Sequence, residues 1–180
     1  MKRTTKLAAA AAGIAVVTGA ALAANAANGP GDLAIARQST AQYHRLSVAE
    51  ADGYGLAPDG PLHECIASLD PTMPGAMGYH YANGTYAGDV NLDPATPEVL
   101  VYESRPNGKM KLVALEYVVF QEAWEAEHGA TVPELFDRPM TFVDEPNRYE
   151  LPPFYQVHVW VWKNNPHGMY ADHNPNVSCP

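Results

Sequence analysis

The chain has 180 residues, with 11 Lys and Arg against 20 Asp and Glu, for a net charge of −9 with the histidines neutral. So acidic a chain lacks the basic surface that nucleic acid or anionic lipid requires, which excludes both as partners. Its length fits one domain with a sizeable core, not an assembly of several.

The chain opens on Lys2, Arg3 and Lys6, followed by an apolar, alanine-rich run from Leu7 to Leu22 and small-residue sites at Ala21-Leu22-Ala23 and Ala24-Asn25-Ala26. That order predicts a secretory signal peptide over residues 1–26, cleaved near Ala23 or Ala26. The run is only about 16 residues long, short for a bilayer span, and no second apolar stretch follows that could serve as one. No cysteine follows to carry a lipid. The expectation is an exported protein, secreted or held in the periplasm or envelope, without a membrane span once the peptide is removed.

Taking its three basic residues from the total leaves 8 Lys and Arg against 20 acidic residues, a net charge of −12. That balance suits cationic partners, metal ions included. The two cysteines, Cys65 and Cys179, lie far apart without CxxC spacing. In an oxidising compartment the simplest expectation is one disulfide tying the C-terminus to the early part of the domain.

Residues 27–37 read as a flexible leader, and residues 38–180 as a single globular domain. Over 39–52 the stripe Tyr43, Leu46, Ala49 predicts a helix stopped by Gly53. The stretch 55–74 is Gly/Pro/Asp-rich loop. From Met77 the pattern is β, with strands expected over 77–81, 98–103, 111–120, 140–143 and 154–162. Between the second and third, Asn107-Gly108 marks a hairpin turn. A short helix or turn around 122–128 carries Trp124. The tail, 164–180, is punctuated by Asn-Pro pairs. Without repeated helical crossovers a parallel sheet is excluded. The fold class is therefore α+β: a mainly antiparallel sheet, or a small and cupin-like barrel, with an N-terminal helix packed on it.

The strand over 154–162 alternates strictly. Val157, Val159 and Val161 take one face, and His158, Trp160 and Trp162 the other. A histidine in so apolar a strand needs a partner, because an unpaired buried polar group is costly. Three further residues of metal-ligand type lie on or at the ends of predicted strands: His80, Glu103 and Glu116. Glu116 shares its face with Leu112, Ala114 and Val118, and Glu103 with Val99 and Val101. If these faces meet, two imidazoles and two carboxylates converge and suit a divalent ion such as Zn, Mn or Fe, or a small polar ligand.

Each has a plainer alternative. Glu103 can sit in water at a strand end, Glu116 can pair with Arg105, Lys111 or Arg138, and His80 can bond backbone. In that case the set is an internal hydrogen-bond network of a non-enzymatic envelope or extracellular module. His167, Asp172 and His173 form a second polar cluster in the tail. His44, His63 and His128 read as surface or locally bonded residues. GxSxG, HExxH, Walker and dinucleotide signatures are all missing, as is the HxH spacing of a standard cupin site. Asn83-Gly84-Thr85 and Asn176-Val177-Ser178 match the glycosylation sequon, which matters only in a eukaryotic secretory pathway.

Three blocks carry a resemblance. They are Gly75-Ala76-Met77-Gly78-Tyr79-His80-Tyr81, then Leu100-Val101-Tyr102-Glu103 with Leu115-Glu116-Tyr117-Val118-Val119, then His158-Val159-Trp160-Val161-Trp162-Lys163 running on to Cys179. Together they resemble a family of uncharacterised exported bacterial proteins, over most of the chain from about residue 38. The resemblance implies export and a single domain, and brings no mechanism with it.

Overall fold

The computed structural model describes residues 30–180, so the expected signal peptide lies outside the described residues. The expected leader is corrected in part: from Pro30 it is helix. Helix α1 (Pro30–Thr40) begins on a proline, has Asp32 in its first turn and Arg37 in its last, an order that suits the helix dipole. Its Ala36 is fully buried. A 3-10 turn, Ala41–His44, follows. The extended backbone of Arg45 then separates it from α2 (Leu46–Ala51). The single helix expected over 39–52 is thus two pieces, although Tyr43 and Ala49 do face the core.

Two short strands come next, β1 (Tyr54–Gly55) and β2 (Ile66–Ala67), then β3 (Ala76–Asn83) and α3 (Gly84–Ala87). They are followed by β4 (Val99–Ser104), β5 (Met110–Phe120) and α4 (Gln121–His128), then by β6 (Glu134–Leu135), β7 (Arg138–Pro139), β8 (Thr141–Val143) and β9 (Phe154–Val159). Seven strands form one sheet in the order β1-β3-β4-β5-β9-β8, with β2 added to β3; β6 and β7 pair separately. Every pairing is antiparallel. The fold is α+β, as the alternation predicts. The sheet is open, so the barrel alternative is corrected: its ends are the two-residue β1 and the three-residue β8, and such short edges leave little to pair.

The β4–β5 hairpin closes at the predicted Asn-Gly turn, where Gly108 N–H donates to Arg105 O at 2.8 Å and Arg105 N–H to Lys109 O at 2.9 Å. Past the turn the register slips. Val101 faces Ala114 but Tyr102 faces Leu112, which leaves Val113 as an extra residue on β5. A bulge of this kind reverses which face each later residue takes. Leu112 therefore joins Leu115 and Tyr117 on the face covered by Tyr43, Ala49 and Ala36 of the helical region. Val113 and Ala114 join Val99, Val101, Val118 and Phe154 on the other face. Placing Leu112 beside Glu116 is accordingly corrected. The buried tyrosines of the helix-covered face pair their hydroxyls: Tyr102 donates to Tyr43 O at 2.6 Å, Tyr54 to Pro97 O and Tyr117 to Pro94 O, both at 2.8 Å. Aromatic bulk is buried there without leaving a polar group orphaned.

The second face is covered by the C-terminal tail. The alternation predicted for 154–162 ends at Val159. Trp160 stays on this face, while Trp162 crosses to the helices, donating from Nε1 to Thr40 Oγ1 at 3.1 Å and meeting His44 edge-on. Trp160 Nε1 donates to Ala171 O at 2.6 Å, and Asn165 Nδ2 to His173 O at 3.0 Å. Asn174 and Ala76 exchange backbone hydrogen bonds of 3.0 and 3.2 Å. The expected Cys65–Cys179 disulfide is present, its Cα atoms 5.5 Å apart and 114 positions apart in sequence. Closing so long a loop contributes about 4–5 kcal/mol in the chain-entropy account. Among the described residues no helix is long and apolar enough to cross a membrane.

The strap leaves no room at Gly75. Its φ is +111°, and a Cβ there would lie 2.1 Å from Asn174 O. Gly108 also has positive φ, +74°, but has nothing within 4 Å of a Cβ. Gly75→Ala is expected to lower the melting temperature by several degrees more than Gly108→Ala, whose cost is backbone strain alone, about 1 kcal/mol. Thermal denaturation of both variants checks it; equal effects would mean that the strap does not depend on this contact.

Candidate functional site

Three of the four predicted residues come together on the tail-covered face. His80 of β3 sits opposite Val101; Glu116 of β5 sits opposite Val99 on one side and His158 of β9 on the other. Directly opposed residues share a face, so the three side chains rise from three strands over the small and branched residues Val99, Val101 and Ala114. Nε2 of His80 stands 3.4 Å from Oε2 of Glu116, and the rings of His80 and His158 are 6.3 Å apart, centre to centre. The residues are 5%, 6% and 1% exposed. None of the four ring nitrogens has a hydrogen-bond partner; the His80–Glu116 approach is long and misaligned for one.

Glu103 is not among them. It lies four residues along β4 from Val99, about 13 Å at strand rise. There it pairs with Lys163, with Arg105 at 3.5 Å and with Lys111 at 3.8 Å. Its expected place with the other three is corrected. The cations proposed as partners for Glu116 do not serve it: Arg105 and Lys111 go to Glu103, and Arg138 lies over the ring of Tyr170. His80 does lie against the Gly78 backbone, which opposes part of the effect of burial on it, but neither of its ring nitrogens completes a well-formed hydrogen bond. His63 bonds Ala57 O through Nδ1 at 2.7 Å, and His128 stacks on Trp124, both local roles as expected.

Burial sets the protonation of the cluster. It pushes Glu116 up to about 8, with the charges of Asp172 and Glu98 adding to the rise. It brings His80 down to about 4 and His158 well below the usual range, helped by His80 and His173. At neutral pH both imidazoles are uncharged and Glu116 keeps its proton. The tail contributes Asp172, raised by burial, and His173, lowered by it; His173 Nε2 is also buried without a partner. His167 is exposed and lies outside this group. Among the described residues no set of three or more His, Cys, Asp or Glu is spaced to hold a metal ion as it stands.

A cavity of about 340 Å³ adjoins the cluster. Its sheet wall is built in rows by the β5–β9 register, Phe120 beside Phe154, then Val118 beside Gln156, then Glu116. Tyr149 and Leu151 line it from the segment before β9, and Leu56 and Leu62 from the loop after β1. Gln156 is 3% exposed with its Oε1 unpartnered.

No family model, curated protein or solved structure matches the chain. The chemistry of these side chains therefore carries the functional argument.

Two polar residues of this region lie outside the predicted set. Gln156 had a signal, since it stands two positions before His158 on the same alternating face. Glu98 had none. Continuing the β4–β5 register puts Pro97 opposite Val118, and the Glu98 carboxylate takes up the Val118 N–H at 3.1 Å. Glu98 is 1% exposed and burial raises it to about 8, from 4.5. A carboxyl that holds its proton more tightly when folded contributes stability fully below pH 4.5, and loses it as pH rises to 8. Above about pH 7.5 the histidines, whose ordinary value is 6.5, are almost wholly neutral in both states. The chelator-treated protein is thus expected to melt at progressively lower temperature from about pH 7.5 to 8.5, and Glu98→Gln to flatten part of that decline. An unchanged slope in the variant would remove Glu98 from the account.

Proposed function

We propose that the protein is an exported metal-binding protein in which His80, Glu116 and His158 hold one divalent ion, Zn, Mn or Fe. The observation that carries the reading is the set of four imidazole nitrogens, fully buried and all without hydrogen-bond partners, beside a buried carboxyl. Leaving such atoms unsatisfied costs on the order of 1–3 kcal/mol each, whereas a metal ion uses neutral imidazoles directly. Two rings sharing an ion through bonds of about 2.0–2.1 Å at a tetrahedral or right angle have centres about 4.5–5.2 Å apart, so the 6.3 Å separation needs a closure of about 1–2 Å. Binding would draw the proton from Glu116. Two His and one carboxylate leave open positions of the kind that support Lewis-acid or redox chemistry. The disulfide and the acidic surface support export.

A second reading is favoured by one observation, that the three residues are not at metal-holding spacing as they stand. On it, a neutral His80 and a protonated Glu116, 3.4 Å apart, are the centre of an internal polar network in a non-enzymatic module.

Elemental analysis and thermal denaturation with Zn, Mn(II) or Fe(II) decide between them. The first reading expects about one ion per chain and a stabilisation near 2.7 kcal/mol at a hundredfold excess over Kd, several degrees in Tm. His158→Ala and His80→Gln are expected to abolish both effects, and Glu103→Ala to leave them intact. Substoichiometric metal with no shift in Tm sinks the metal reading and leaves the internal network.

A further inference from the structure

The cavity beside the cluster is itself built as a binding site. Its walls are apolar and partly aromatic, from Phe120, Val118, Phe154, Tyr149 and Leu151. Apart from the Tyr149 hydroxyl, which is directed to Met77 Sδ, its polar side chains are on the sheet wall, where Gln156, Glu116 and His80 lie in adjacent rows. All three are more than nine-tenths buried. A mainly apolar enclosure with a few convergent polar groups is the usual form of a small-molecule site. The volume corresponds to about ten water-sized groups at about 30 Å³ each, which fits a molecule of roughly ten non-hydrogen atoms. A flat contact surface would not bury its polar groups so deeply.

The polar atoms also indicate the head group. Gln156 Oε1 is buried without a donor, so it calls for a hydroxyl or N–H. None of the cavity's lining residues is Lys or Arg, and the nearby cations are engaged elsewhere: Lys111, Arg105 and Lys163 with Glu103, and Arg148, whose charge reaches His80 and Tyr149, with Ala67 O at 2.9 Å. Burying a charge without a partner is the costliest transfer of all. We propose that this cavity binds an uncharged, hydroxyl-bearing molecule with an alkyl or aromatic body of about ten heavy atoms. The body lies between Phe120, Phe154 and Tyr149, and the hydroxyl donates to Gln156. The site does not require an ion at His80, Glu116 and His158.

Isothermal titration with 1-octanol as probe, in chelator so that the metal reading is not at stake, tests the proposal on the purified protein. Octanoate serves as the charged counterpart. The expected result is one saturable 1-octanol site, with octanoate at pH 7 at least tenfold weaker. Ala82 lines the cavity from an exposed position of β3, so Ala82→Trp fills it without repacking the core and is expected to weaken 1-octanol at least tenfold at unchanged Tm. Gln156→Leu keeps the shape, removes the acceptor, and is expected to weaken 1-octanol about tenfold. No 1-octanol binding by the unaltered protein, or binding that survives Ala82→Trp, overturns the site. Octanoate binding as tightly as 1-octanol overturns the uncharged class, and full binding by Gln156→Leu overturns the hydroxyl recognition.

Discussion

The fastening of the C-terminal tail across one face of the sheet is the constraint on which the rest of this molecule depends. An open antiparallel sheet with helices on a single side would ordinarily show its other face to water and carry polar residues there. Here that face carries Val99, Val101, Val113, Phe154 and Trp160. The tail covers them with Val177, is fixed by the Asn174–Ala76 bridge and ends at the disulfide. Trp160 and Asn165 bond tail carbonyls on the way, so the tail has a defined path without regular structure. That cover is what turns a histidine and a glutamate on a sheet face into buried groups with displaced protonation. The disulfide's loop entropy and the chemistry of the cluster are therefore parts of one design.

Much of this was legible in the sequence, and the misses have physical causes. Strict alternation located β4, β5 and β9, and Asn107-Gly108 located their first turn, because period two and turn chemistry are local signals. An acid flanked by apolar residues on its own face was the clue to Glu116, and it survives the correction at Leu112, since Ala114 and Val118 still flank it. The bulge at Val113 left no local trace, because one extra residue in a strand looks like more strand. Glu103 was placed on the right face but at the wrong end. Alternation gives the face, whereas the distance along the strand follows from register, which the sequence did not specify. Trp162 failed for a related reason: the chain turns after Val159, and alternation does not carry through a turn. Residues 30–37 read as leader because their apolar content is small and unpatterned. Helix α1 is nevertheless tied down through Ala36 in the core and Arg37 Nε donating to Val161 O at 3.2 Å.

The electrostatics divide the sheet. At one end Glu103 gathers Lys163, Arg105 and Lys111 into an ion-pair group with its cations partly in water, a cheap arrangement worth little to stability. Four residues along β4 the same face is nearly dry, and burial holds Glu116 above the ordinary carboxylate range, with the charges of Asp172 and Glu98 adding to the rise; burial raises Glu98 and Asp172 as well. A charge that costs little at one end is therefore prohibitive at the other. The overall negative charge increases the contrast, because spare cations that could enter the dry region are few.

The consequence is a site whose response depends on what enters it. With nothing bound, the stable state is uncharged: imidazoles with one proton each and a carboxyl that keeps its own. An uncharged guest leaves that proton inventory as it is and exchanges only hydrogen bonds, so its affinity is set by apolar contact and by the Gln156 acceptor. A divalent cation does the opposite. It needs the Glu116 carboxylate, must expel a proton held up to about pH 8, and gains two imidazoles that need give up nothing. On the proposed metal reading, cation binding at this cluster would therefore be coupled to the release of one proton below that pH, while binding of an uncharged guest would not. Glu116 and His80 border both sites, and the proton on Glu116 separates the two chemistries.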